Sequence, residues 1–82
     1  MKVVVQVTLK PDVFDPQGKA IARASAALGY AQVAGVRQGK LFELELEARD
    51  EAQARAVLRE LCEKLLANPV IEDYAIVAVE KA

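Results

Sequence analysis

Few residues in this chain have the types and spacing that chemistry needs. Asp12 and Asp15 lie in "PDVFDPQGKAI", where a valine-rich run gives way to a helical pattern, and the free amides of such a junction attract anions. Two carboxylates there would repel a phosphate, and Asp15 stands where an N-cap would occupy those amides itself. Glu43, Glu45 and Glu47 of "ELELE" could be paired carboxylates for acid–base work. On a strand, however, alternate residues stand about 7 Å apart along an open row, which fits a solvated or partner-facing strand better. Cys62, the single cysteine, falls mid-helix on an apolar stripe, where a thiol behaves as a small hydrophobe. One cysteine permits neither an internal disulfide nor a multi-cysteine metal site. The chain has no histidine, so the commonest metal ligand and general base is missing.

The elements that must position these residues belong to a small molecule. Residues 1–82 are expected to form a single domain, and a domain of this size is only marginally stable alone, which makes self-association or a partner an expectation. Hydrophobic residues make up 54% of the chain but aromatics only 5%, so aliphatic side chains and alanine must build the core. Lys+Arg number 11 against 12 Asp+Glu, and the basic residues are scattered, unlike the clustered positive charge of a nucleic-acid surface. No apolar run approaches the ~20 residues that cross a bilayer, and Met1-Lys2 leads straight into a strand pattern with no signal peptide. The expectation is a cytoplasmic protein with neither membrane nor nucleic-acid partners.

"KVVVQVTLK" places Val3, Val5, Val7 and Leu9 on one face of a strand. Asp15 as N-cap and Pro16 at the first helical position open a helix over Pro16 to Leu28, with Ala20, Ile21, Ala24, Ala27 and Leu28 inward and Gly29 as its stop. Two strands between Ala31 and Ala48 are expected to form a hairpin around Gln38-Gly39, with Gly39 supplying a positive φ. In that register Val33, Phe42, Leu44 and Leu46 face the core, Phe42 lies over Gly35, and Val36 and Leu41 face outward. A second helix begins at a capping box, Asp50 with Gln53, and ends at Asn68-Pro69; Ala54, Val57, Leu58, Leu61, Cys62 and Leu65 form its buried stripe. "DYAIVAVE" is the last strand. This order predicts an α+β fold of ferredoxin-like βαββαβ type, a four-stranded antiparallel sheet with two helices on one face and its first and third strands central and parallel. The other face, with Val4, Val36 and Leu41, is left open for self-association or docking.

Three stretches together resemble one family. "VFDPQGKAI", "VRQGKLFEL" and "CEKLLANPVIEDY" are similar to the PurS family, the small subunit of phosphoribosylformylglycinamidine (FGAM) synthase, in order and over nearly the whole chain. The resemblance implies a homodimer or tetramer that joins a glutaminase, PurQ, to an ATP-dependent synthetase, PurL. It also implies help with the passage of ammonia, in the step that converts formylglycinamide ribonucleotide (FGAR), glutamine and ATP to FGAM. No catalytic residue, metal or cofactor is expected in this subunit, and ATP and magnesium are expected on the synthetase. Asp15, Pro16, Gln17 and Gly18 match the family's first motif, Arg37, Gly39 and Lys40 its second, and Asn68, Pro69, Glu72 and Asp73 its third. With Val36 and Leu41 they are the candidate partner or oligomer contacts. Phe14 stands where a leucine is expected. An ACT-like small-molecule sensor has the same strand order but would place a glycine-containing ligand loop where this chain has "PDVF". An acylphosphatase-like enzyme would need an arginine-bearing anion cradle at the first junction.

Overall fold

A computed structural model describes residues 1–81. Strand β1 (Lys2–Leu9) is the centre of a three-stranded sheet, flanked by β2 (Gly39–Glu45) on one side and β3 (Glu72–Glu80) on the other. Both neighbours run antiparallel to it, with Val5 opposite Phe42 and Ile76. The alternation read from the sequence explains this placement. Val3 and Val5 are wholly buried and Val7 nearly so, and β-branched side chains fit best on a pleated surface that is paired at both edges and covered. A bulge beside Val4 and Val5 leaves Val77 without a partner on β1, and its side chain is exposed on β3.

Helix α2 (Glu51–Leu61) supplies the cover, setting Leu58 on the valine face, and Ala54 is buried one turn earlier. The Asp50 carboxylate accepts from the Gln53 amide at 2.8 Å, as expected. The return bond of the box is displaced by one residue: Gln53 Oε1 accepts from the Arg49 amide at 2.7 Å. The pairs Glu51 with Arg55 and Glu60 with Lys64 form at 3.1 and 3.0 Å on the solvated side.

Beyond Leu61 the helix widens into a π-helical turn, Cys62–Leu66, closed by the Ala67 amide on the Cys62 carbonyl at 2.9 Å. This turn corrects the expected stripe. A 3.6-residue period would carry Leu65 inward, but a bond spanning five residues rotates the chain past it. Leu65 is 73% exposed, while Ala67 is buried and Leu66 packs against the core. Cys62 is fully buried among these residues, and burial, with the Glu63 carboxylate second, pushes its thiol above its ordinary range. Packing is its role, as the sequence indicated.

The fold departs from the four-stranded ferredoxin-like expectation. There is no hairpin at Gln38-Gly39. Residues 33–38 are outside any strand, and the chain passes through that position into β2 without reversing. Because it does not reverse, β2 enters antiparallel to β1, not parallel, and lies at an edge of the sheet. Among the described residues Gly29 alone has positive φ, at +95°, ending helix α1 as expected; Gly39 does not. Gly39 is instead required for closeness, since a Cβ there would stand 2.6 Å from the Val7 carbonyl oxygen.

Helix α1 (Pro16–Ala27) is the largest departure. Ala20, Ile21, Ala24, Ala27 and Leu28, expected inward, are all exposed, and Gly18 is the helix's one buried residue. Val33 is exposed as well, and Gly35 has open space, not Phe42, above it. The helix and its return segment project from the sheet as an arm. The Cα radius of gyration is 15.9 Å, against about 12 Å for a compact chain of this length.

Candidate functional site

The three motifs meet at one end of the sheet, where β1 stops and β2 begins. Asp15 is the pivot. Its carboxylate accepts from the Gly18 amide at 3.0 Å, capping α1, and from the Gln38 amide at 2.9 Å, tying the helix start to the segment entering β2. The Gln38 side-chain amide donates to Gln17 Oε1, and Arg37 reaches back to the Leu9 carbonyl at 2.5 Å. Gly18 makes the approach possible, because a Cβ on it would fall 2.5 Å from the Val36 carbonyl oxygen. Val36 is therefore part of this corner, not of the open sheet face where the expected hairpin placed it. Leu41 does lie on that face, opposite Gln6 and 61% exposed.

The third motif closes the corner from the other side. Asn68 forms an Asx turn, its side-chain oxygen accepting from the Val70 amide at 3.0 Å and its carbonyl from the Glu72 amide at 2.7 Å. Glu72 accepts from the Asn68 amide at 2.7 Å through one carboxylate oxygen and pairs with Lys40 at 3.7 Å through the other. Lys10 pairs with Asp73 at 3.1 Å, and its backbone amide donates to the Ile71 carbonyl. Pro69 follows Asn68 in the loop, and Pro16 opens the helix beside Asp15. Lys10 and Gln38 were missed as site residues by sequence reasoning. Gln38 lies inside the quoted second motif, whereas nothing in the sequence marks Lys10.

These polar groups answer one another. Asp15, Glu72 and Asp73 each hold amides or an ammonium of the same corner. The Lys10–Asp73 pair is exposed on both sides, and such a pair contributes at most about 1 kcal/mol, so its effect is to fix geometry. Among the described residues no group of three or more metal-ligating side chains gathers. The arrangement can present a fixed surface of Gln17, Arg37 and Lys40 to another protein.

Asp15 gives this corner a pH dependence. The Gln38 amide first, then the Gly18 amide, hold its carboxyl below the usual carboxylate range. A group whose folded pKa is depressed contributes its full stability above the unfolded value, about 3.9. That contribution is lost as the pH falls through the folded value. Asp15→Asn is expected to be less stable than the parent at pH 7. The gap should narrow as the pH drops below about 4, read from urea midpoints across that range; a gap constant with pH would exclude this role.

A small α+β chain with one helix on its sheet, a projecting apolar arm and a polar corner bonded to itself has the build of a subunit of a larger assembly. Comparison with known proteins names the assembly. The family whose sequence profile matches residues 2–80 is PurS, described as phosphoribosylformylglycinamidine (FGAM) synthase. The FGAM synthase subunit PurS of Synechocystis sp. is 50% identical over 80 residues, 95% of this chain and 80% of that protein. The crystal structure of Methanocaldococcus jannaschii PurS, one of the subunits of formylglycinamide ribonucleotide amidotransferase, superposes with a TM-score of 0.89 at 41% identity, covering 99% of this chain and 96% of that one. A chain in the structure of PurLQS from Thermotoga maritima gives 0.84 at 35% identity, with 92% of each chain covered. The chain belongs to the PurS family, the small subunits of FGAM synthase in purine biosynthesis. The ACT-like alternative is not favoured.

Proposed function

We propose that this chain is the non-catalytic subunit that joins a PurQ glutaminase to a PurL synthetase and assists ammonia transfer in the conversion of FGAR, glutamine and ATP to FGAM. The observation that carries this reading is the PurS match across residues 2–80. The convergence of the three motifs on one corner supports it: Asp15 holds the Gly18 and Gln38 amides, Arg37 donates to the Leu9 carbonyl and Glu72 pairs with Lys40, while Gln17 and Lys40 stay exposed. Partner contacts are assigned to this corner, with Pro16, Asn68, Pro69 and Asp73 shaping it. ATP and magnesium belong to the synthetase, and this subunit binds neither. The chain works in the cytoplasm as a dimer, or a tetramer built from dimers; among the described residues no helix is long and apolar enough to cross a membrane.

Co-elution tests the assembly. The glutaminase and synthetase subunits, mixed with this chain at low micromolar concentration, are expected to migrate as one complex on a sizing column. If the two larger subunits migrate identically with and without it, the bridging role is wrong.

A further inference from the structure

The end of helix α2 has two ways to bury a leucine, and the structure shows one of them. In the π-helical turn Cys62–Leu66 the side chain of Leu66 packs against the core and Ala67 is buried, while Leu65 is 73% exposed. Continued at 3.6 residues per turn, the same helix would place Leu65 almost directly below Leu58 and turn Leu66 ~100° further round. Leu65 would then point inward and Ala67 outward. Each register covers the end of the valine face with one leucine, so the apolar area buried differs little between them.

The connection to β3 decides between the two. It is short and pinned at its far end: the Ile71 carbonyl accepts from the Lys10 amide at 2.9 Å, and Glu72 is already paired with Leu9. Its own amides are all engaged. Ala67 donates to the Cys62 carbonyl at 2.9 Å, Asn68 to Glu72 Oε1 at 2.7 Å and Val70 to Asn68 Oδ1 at 3.0 Å. Ile71 and Glu72 donate to the Asn68 carbonyl at 3.1 and 2.7 Å. A return to α-helical winding breaks the Ala67–Cys62 bond and passes one residue from the helix into this connection. The Asn68 turn cannot take up that residue and keep its bonds to Val70 and Glu72.

From this we infer that the end of α2 is a two-register element, and that the Asn68–Glu72 turn is the latch that holds it in the π-helical register with Leu65 outward. Opening the latch lets the turn wind as an α-helix, with Leu65 moving in and Leu66 moving out. Glu72 connects the latch to the corner, because its second carboxylate oxygen pairs with Lys40 at 3.7 Å. A protein that draws Lys40 or Glu72 into its own contacts therefore changes the exposure of Leu65. One that grips Leu65 tightens the latch in return, since such coupling is reciprocal. The inference stands on this chain's own bonds and does not depend on the function proposed above.

Methyl NMR tests it without altering either leucine. The full chain, labelled at its leucine methyl groups, is titrated with a soluble gadolinium chelate, which speeds the relaxation of exposed methyls and spares buried ones. In the parent the enhancement at Leu65 should be several-fold above that at Leu66. Two variants open the latch: Glu72→Ala removes the acceptor of the Asn68 amide and the partner of Lys40, and Asn68→Ala removes the acceptor of the Val70 amide. In each variant that remains folded by its β1 methyl shifts, the enhancement should fall at Leu65 and rise at Leu66, at least twofold in both directions. Asn68→Ala is the milder change and keeps the test decisive where Glu72→Ala does not fold. Enhancements that rise together at both leucines report fraying of the helix end, and enhancements that stay as in the parent report a fixed turn. Either result overturns the two-register element.

Discussion

Leu58→Ala is expected to destabilise the protein by about 2–5 kcal/mol, the range for truncating a buried leucine. Leu58 is wholly buried and sits with Val3, Val5, Val7 and Cys62 in the core. Among the described residues α2 is the helix packed on the sheet, and it lies toward β3, so few neighbours can close the cavity. A domain of 82 residues has roughly 4–12 kcal/mol of total stability at the usual per-residue average, so the variant approaches unfolding at ambient temperature. The check is a urea titration: the midpoint should fall with the slope unchanged. A loss below about 1 kcal/mol would mean that α2 is not seated on the valine face.

Gly18→Ala is the second large effect. In an open helix this change would be favourable by up to about 1 kcal/mol, because alanine loses less backbone freedom on folding. Here the new methyl would collide with the Asp15 carboxylate and with the Val36 carbonyl oxygen, 2.5 Å away. Both belong to the hydrogen-bonded corner, so relief requires the N-cap or the Val36–Gln38 segment to move. Overpacking of this kind costs about 1–3 kcal/mol, which outweighs the propensity gain, and the melting temperature should drop by several degrees. Gly35→Ala is the matched control, with nothing within 4 Å of its new Cβ. It should leave the melting temperature unchanged or raise it slightly, and equal losses in both variants would remove the steric explanation.

The residues that were legible in the sequence are those whose surroundings are local. The valine alternation of β1 fixed its buried face, and Asp15 and Asp50 cap the helices that follow them, as their positions indicated. What was not legible depends on distant parts of the chain. The period of α2 gives no warning of the π-helical turn that sends Leu65 outward and Ala67 inward. "VRQGKLFEL" reads as a hairpin because glycine permits a turn; whether the chain reverses there is decided by what it can pair with, and among the described residues no strand lies beside residues 33–38. The apolar stripe of α1 is present in the sequence, but its residues are exposed, because the helix period does not record that the helix projects away from the sheet. The three motifs were each visible, while their meeting at Asp15, Gln38 and Glu72 required the sheet to bring residues from both ends of the chain together.

The most direct test of the coupling role separates the two sources of nitrogen. Product formation by the reconstituted glutaminase and synthetase subunits is measured once with glutamine and once with ammonium chloride, in the presence and absence of this chain. Omission is expected to abolish the glutamine-dependent rate and to leave the ammonia-dependent rate nearly intact, because the synthetase keeps its own chemistry and loses only its supply. Two equal glutamine-dependent rates, with and without the chain, would contradict it.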